Sequence, residues 1–325
     1  QPDSDGVWRA LSSKFVDGRP VGFFDYQGRR GDDANDRVRH ENRRELRGLR
    51  LLSAWLNHFD TKQENSLDVF VETAPGLGHV KHYLIDFAST IGAAGRQPDR
   101  KWGYEYTVDP EAILGNLLSL GLHESTWRGL ELDRDMPEVG YWEVASFDPM
   151  EFKPILANTA FAHLTDRDGY WAAKIISAFT DEQLAAIVAE ARYAQPEAAA
   201  YITRTLAARR DKIARHFFDR VAPLDFFQVR GSILQFADLG VERGIYSSRS
   251  TLYKYRWASC TAERDRDSWS AWQETRDTCV PLPREVTPEG PFLAFEVRVD
   301  RGAGWQGPVR VFLEQDTGRI AALER

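Results

Sequence analysis

Cysteine and methionine each occur only twice in 325 residues, so neither a disulfide framework nor a thiolate-rich metal cluster can organise this chain. No apolar run approaches the ~18–20 residues that a membrane-spanning helix needs. Basic residues are not in excess either: Lys plus Arg number 42 against 49 Asp plus Glu, a formal net charge of −7. A chain of that balance lacks the cationic field that coats nucleic acid, and no nucleic-acid partner is expected. An initiator methionine and an apolar signal segment are also missing. The chain opens Gln1-Pro2-Asp3-Ser4-Asp5, which reads as a mature product, a fragment or a trimmed chain.

What is present describes a folded protein. Hydrophobic residues make up 42%, aromatics 12%, and there are ten tryptophans, far above what disorder tolerates. The length suffices for about two domains with a real core. The two cysteines, Cys260 and Cys279, fall in one Trp- and charge-rich stretch. They read either as a single local disulfide in an oxidising compartment or as two unrelated buried thiols. With the missing methionine, the first reading leads to an expected periplasmic or secreted location.

Patterning divides the chain into three parts. Residues 1–40 hold extended segments around the turn Asp17-Gly18-Arg19-Pro20, expected as a hairpin over 7–26, followed by a Gly/Asp-rich loop. Residues 41–223 form a mainly helical part. Leu46, Leu49, Leu52, Trp55 and Leu56 recur at helical spacing, with a helix end expected near Asn57. Two strand-like runs, 67–71 and 79–85, flank Pro75-Gly76 as a hairpin, and a short helix is expected at 110–120 within an irregular stretch. Three helices follow over 165–219, the second introduced by a capping box at Thr180-Asp181-Glu182-Gln183 and the third by Pro196. After Pro223, residues 224–325 change to short alternating segments at 226–236, 251–257, 291–299 and 307–313, a small β-rich module.

One local signal carries chemistry. His58-Phe59-Asp60-Thr61-Lys62-Gln63-Glu64-Asn65 follows the helix, and Tyr83-Leu84-Ile85-Asp86-Phe87 closes the hairpin. Taken singly, His58, Asp60, Asn65 and Asp86 have ordinary uses in caps and turns. Their joint order resembles the catalytic core of the protein-kinase-like superfamily. There, His-x-Asp-x-x-x-x-Asn lies between a helix and two short strands, and a metal-binding Asp-Phe-Gly ends the second strand.

That resemblance implies Asp60 as the base for an attacking hydroxyl, His58 as support for the loop, and Lys62 two residues past the base. It also implies Asn65 and Asp86 as ligands of magnesium bridging the phosphates of ATP. Hard oxygen donors from separate elements are what such cations select. The chain departs from the pattern at Phe59, where the family has Arg, and at Ala88, where it has Gly. No Gly-rich loop or Val-Ala-Ile-Lys strand precedes the catalytic segment.

The chain is also similar to a group of uncharacterised bacterial proteins that share Arg-Arg-Glu-Leu-Arg-Gly-Leu (Arg43–Leu49), His-Tyr-Leu-Ile-Asp-Phe (His82–Phe87) and Ala-Arg-Arg-Asp-Lys-Ile (Ala208–Ile213). Those proteins look longer at the N-terminus, which implies that this chain is a C-terminal portion.

The expected fold is therefore α+β, a kinase-like C-lobe with a central hairpin plus a β-rich C-terminal module. Two functions follow from the resemblance: an atypical kinase using ATP and magnesium, or a pseudokinase-like accessory or scaffold subunit of a larger extracytoplasmic or membrane-associated assembly. Other readings are bland. The Arg43, Arg44, Arg47 and Arg50 run reads as a solvated helix face or a phosphate clamp. Trp257, Trp269, Trp272 and Trp305 read as core or interface residues. His79 and His82 face opposite sides of one strand, which argues against a shared metal ion.

Overall fold

The thirteen residues Arg44–Leu56 form helix α1, whose leucine stripe and Trp55 turn toward the centre of the helical part. The computed structural model describes residues 12–93, 101–122, 125–129, 136, 139–260, 269–283 and 290–325. Among these the fold is α+β, with seven α-helices and three antiparallel sheets.

The first sheet orders β1 (Arg19–Gly22), β2 (Ser66–Ala74) and β3 (Leu77–Leu84) as β1-β2-β3. The β2–β3 hairpin is as the sequence predicts. The hairpin expected over 7–26 is not formed in its described part: Arg19 and Pro20, placed in the turn, instead extend an edge strand paired with Phe70 and Val69 of β2. Proline is tolerated there because an edge strand needs only one row of ladder hydrogen bonds. Residues 1–11 lie outside the described residues.

Helices α2 (Pro110–Leu118), α3 (Thr159–Ala162), α4 (Asp166–Ile176), α5 (Asp181–Glu190) and α6 (Pro196–Phe218) follow. The Thr180/Gln183 capping box forms, and Pro196 opens α6. A second capping box, Thr165 with Asp168, starts α4. Leu51 and Ala54 of α1 join Ala172 and Ile176 of α4, and Ile202, Ile213 and Phe217 of α6, in one buried core. Two glycines set the helix spacing: a Cβ on Gly48 would lie 2.8 Å from the Trp171 ring, and one on Gly169 would lie 2.0 Å from Phe217.

The C-terminal strands make two sheets. The smaller is ordered β4-β5-β8, from β4 (Leu224–Arg230), β5 (Ile233–Asp238) and β8 (Cys279–Pro281). The larger is ordered β11-β10-β9-β6-β7, from β6 (Leu252–Cys260), β7 (Gln273–Thr275), β9 (Phe292–Asp300), β10 (Gln306–Glu314) and β11 (Ile320–Glu324). Alternation sends Tyr253, Tyr255 and Trp257 of β6 inward with Phe295, Val297 and Val311, where they meet Leu234 and Phe236 of the smaller sheet. The short helix α7 (Leu239–Glu242) places Leu239 in the helical core instead.

The expected disulfide is not formed. Cys260 is buried at the end of β6 and Cys279 is exposed at the start of β8, on different sheets. Strand order thus separates the two cysteines despite their nearness in sequence, and of the two only Cys260 is a buried thiol. Trp257 is a core residue, 2% exposed. Trp269, Trp272 and Trp305 instead lie against the outward cations of the larger sheet, with Arg256 over both Trp269 and Trp272 and Lys254 over Trp305. Behind them Glu296, fully buried, accepts from its cross-strand neighbours Arg256 and Arg310 at 3.1 and 2.6 Å. No helix among the described residues is long and apolar enough to cross a membrane.

Candidate functional site

The site begins where α1 stops. Asn57 takes a left-handed conformation, φ 48°, and the amides of Asn57 and His58 donate back to Ala54 and Ser53 at 3.3 and 2.8 Å. This turn aims the chain across the end of the helix and starts the loop 58–65. Phe59 is buried and stacks on Trp102 with ring centroids 5.3 Å apart and planes 9° from parallel, while its carbonyl accepts from Ile155 at 2.8 Å. The residue that departs from the kinase pattern is therefore an apolar anchor for the loop.

From the anchor outward the loop is closed by its own polar groups. The Asp60 carbonyl accepts from the Lys62 amide at 2.9 Å and from Asn65 Nδ2 at 2.8 Å. Lys62 Nζ lies 2.9 Å from Asp60 Oδ1 and 3.2 Å from Oδ2. With its amide nitrogen bound inward, Asn65 has Oδ1 left to offer a cation. Tyr26 supports the loop from outside, donating through its hydroxyl to the Lys62 carbonyl at 3.3 Å. Phe24 donates its amide to Ser66 Oγ at 2.8 Å.

The hairpin brings Asp86 to this loop. Ser66 pairs with Leu84 at its base, and the Ile85 amide donates to the Asn65 carbonyl at 3.0 Å. Asp86 follows at once, exposed and with φ 58°, a left-handed backbone that Asp tolerates better than most residues. Beyond it the chain returns to α1, where the Ile91 amide donates to Leu56 at 2.7 Å.

His58 lies beneath this arrangement. Its side chain is almost wholly buried and tilted against Phe87, with centroids 5.4 Å apart. Nδ1 is 3.4 Å from the Ser89 carbonyl, and the buried Nε2 has no hydrogen-bond partner among the described residues. Burial pushes its pKa below the ordinary value; the Ser89 carbonyl and the charges of Asp60 and Asp86 work in the opposite direction without reversing it. The imidazole is therefore neutral at pH 7, a buttress that feels both carboxylates.

All five residues singled out in the sequence thus belong to one neighbourhood. Among the described residues no group of three or more His, Cys, Asp or Glu converges as a metal cage. The available donors, the Asn65 amide oxygen and the Asp86 carboxylate, are nonetheless of the hard-oxygen type that magnesium takes in ones and twos alongside phosphate and water. His79 and His82 form no site with Asp86. His82 instead pairs with the fully buried Asp68 at 2.6 Å, which also holds Arg30 at 2.8 Å.

The arginine run is not a simple solvated face. Arg47 grips Asp168 with two bonds of 2.7 and 2.9 Å, Arg50 donates to the carbonyls of Phe161 and Met150, and Arg43 pairs with Asp36. Sequence reading also missed Arg209, which is buried in α6. Its only signal was membership in the Ala208–Ile213 pattern.

Comparison of the chain with protein-family models, with curated proteins and with solved structures finds no match.

Proposed function

We propose that the chain carries a kinase-like phosphoryl-transfer site built from Asp60, Lys62, Asn65 and Asp86, with His58 as its buttress. The observation that carries this reading is the bond from Ile85 to the Asn65 carbonyl, which fastens the end of the hairpin to the loop and sets Asp86 beside Asn65. The left-handed backbone of Asp86 adds to it, since unusual backbone conformations collect at working sites.

In this reading Asp60 accepts the proton of an acceptor hydroxyl as its oxygen bonds to the γ-phosphorus of ATP. The bond from that phosphorus to the β,γ-bridging oxygen breaks, and ADP leaves. Lys62 balances the charge of Asp60 and faces the transferred group, while Asn65 and Asp86 hold the metal. Magnesium supplies neutralisation of phosphate charge when bound. Isothermal titration of the chain with ATP and magnesium tests the reading, alongside Asp86→Ala. A saturable, magnesium-dependent component of binding that the substitution abolishes is expected; absence of any magnesium-dependent component at millimolar nucleotide overturns it.

A second reading, a pseudokinase-like accessory subunit, is favoured by one observation. Helix α2 buries no side chain, and Ile113, Leu114, Leu117 and Leu118 are 53 to 76% exposed. An apolar helix face of that extent suits a protein partner in a larger assembly. Co-purification from an extracytoplasmic fraction that Leu114→Gln/Leu117→Gln abolishes, with no magnesium-dependent nucleotide binding, is the result this reading expects.

A further inference from the structure

At the N-terminal end of α1, opposite to the His58 loop, a cleft of about 760 Å³ opens between α4 and the last strands of the larger sheet. Arg44, Arg167, Lys174, Arg310 and Arg325 line it, against the carboxylates of Asp225 and Glu324. Among the lining side chains, five cationic and two acidic, the balance is the reverse of that of a chain of net charge −7.

The carboxylates do not neutralise the outer cations. Asp225 is already engaged, accepting from Lys174 at 2.6 Å and Tyr170 at 3.2 Å and lying 3.2 Å from Arg325. Arg310 is held by Glu296 and faces Glu324 as its cross-strand partner. Arg44 reaches Asp168 only at 3.6 Å, because Arg47 already occupies both oxygens of that carboxylate. Arg167 is exposed and makes no ion pair with the described residues. Arg325 is mostly buried and already engaged, lying over the Tyr170 ring and donating through Nη2 to the Leu224 carbonyl at 2.7 Å. Two guanidinium groups, those of Arg44 and Arg167, therefore have donors to spare at one cavity. Trp171 and Leu323 add an apolar wall. The volume exceeds what a lone phosphate needs and falls in the range of small-molecule sites, ~300–1,000 Å³.

We propose that this cleft binds a phosphorylated small molecule, its phosphates held by Arg44 and Arg167 and its organic part against Trp171 and Leu323. Guanidinium forks match phosphate oxygens in pairs. The site is separate from the His58 loop: the thirteen residues of α1 lie between them, about 20 Å at ~1.5 Å per residue. Its fate does not depend on whether phosphoryl transfer occurs there.

The test is calorimetric titration of the whole chain with pyrophosphate and with ADP, in EDTA so that no metal-dependent site contributes. Both are expected to saturate, ADP more tightly, with affinity falling as salt rises. Arg167→Glu is expected to weaken both by about tenfold or more, the size of one lost charge-assisted contact. It retains the fold, since an acidic residue suits the first turn of α4; an unchanged melting temperature checks this. Arg44→Gln is expected to weaken binding to a smaller degree, and Asp86→Ala to leave it unchanged. Absence of saturable binding, binding indifferent to both arginine substitutions, or binding lost in Asp86→Ala overturns the proposal.

Discussion

Arg209, in the middle of α6, donates through Nη1 to the carbonyl of Ala54 at 3.1 Å, within the last turn of α1 before the left-handed Asn57. Its Nε donates to Glu143 at 2.7 Å, and the guanidinium lies over the rings of Phe147 and Trp142 at 4.2 and 5.1 Å. A buried cation held by two backbone carbonyls and aromatic faces thus clamps the helix end from which the His58 loop departs. Replacing Arg209 with Leu leaves the Glu143 carbonyl without its donor and removes one of the two donors to Ala54, and is expected to cost about 1–3 kcal/mol. Urea unfolding measures it. Arg209→Lys is expected to rescue little, because one ammonium does not span both carbonyls as the fork does.

Asp168 serves two structures at once, the capping box of α4 and the forked grip of Arg47 on α1. Asp168→Asn strands a half-buried guanidinium, with an expected loss of about 3–5 kcal/mol. Burial opposes the charge of Asp168, but Arg47 and Thr165 outweigh it and hold the carboxyl below its usual value. Its contribution to stability is therefore complete above ~pH 4 and disappears as the pH falls through the lower folded value. An acid titration of the wild type and Asp168→Asn is expected to show the two stabilities converging at low pH.

His58 acts in a different window. Its folded pKa is depressed by burial, so the neutral ring favours the native state above ~pH 6.5, and that advantage is lost as protons bind the unfolded chain first. Stability is expected to fall between pH 7 and 5, with His58→Gln flattening part of the slope. His216, also depressed by burial, accounts for part of the remainder. A slope unchanged in His58→Gln contradicts the assignment.

Phe59→Arg introduces the residue that the protein-kinase-like pattern has at this place and is nevertheless expected to harm the protein. The slot is closed by Trp102 and buried, so a guanidinium enters it without a partner. A melting temperature lowered by several degrees is the expected outcome.

Leu114→Gln with Leu117→Gln should change the stability of the isolated chain by no more than about 0.5 kcal/mol per residue, since both side chains stay more than half exposed. Thermal melting checks this independently of any partner.

What the sequence revealed was mostly local. The end of α1 at Asn57, the hairpin and the Thr180 cap rest on neighbouring residues and were legible from them. That the loop 58–65 and Asp86 adjoin was legible because short connections leave few ways to arrange helix, loop and hairpin. The fate of Arg19 and Pro20 was not, since pairing with β2 lies about fifty residues away and an edge strand has no signature of its own. Cys260 and Cys279 misled for the converse reason: nearness along the chain says nothing about strand order. The basic cleft was invisible because its arginines come from α1, α4, β10 and the residue after β11, and only folding joins them.

Helix α2 has a further consequence in the time domain. Asp109 caps it through the amides of Glu111 and Ala112, and Lys153 ties Asp109 and Glu111 to the rest of the molecule, but no core holds its nine residues. Isolated helices shorter than ~12–15 residues are marginal in water. Its amide protons should therefore exchange through brief local openings, while those in the middle of α6, around Ile213, wait for the whole helical core to open. A single hydrogen-exchange experiment would separate the two helices by several decades in rate, and a partner that seats on α2 would announce itself by slowing the faster one.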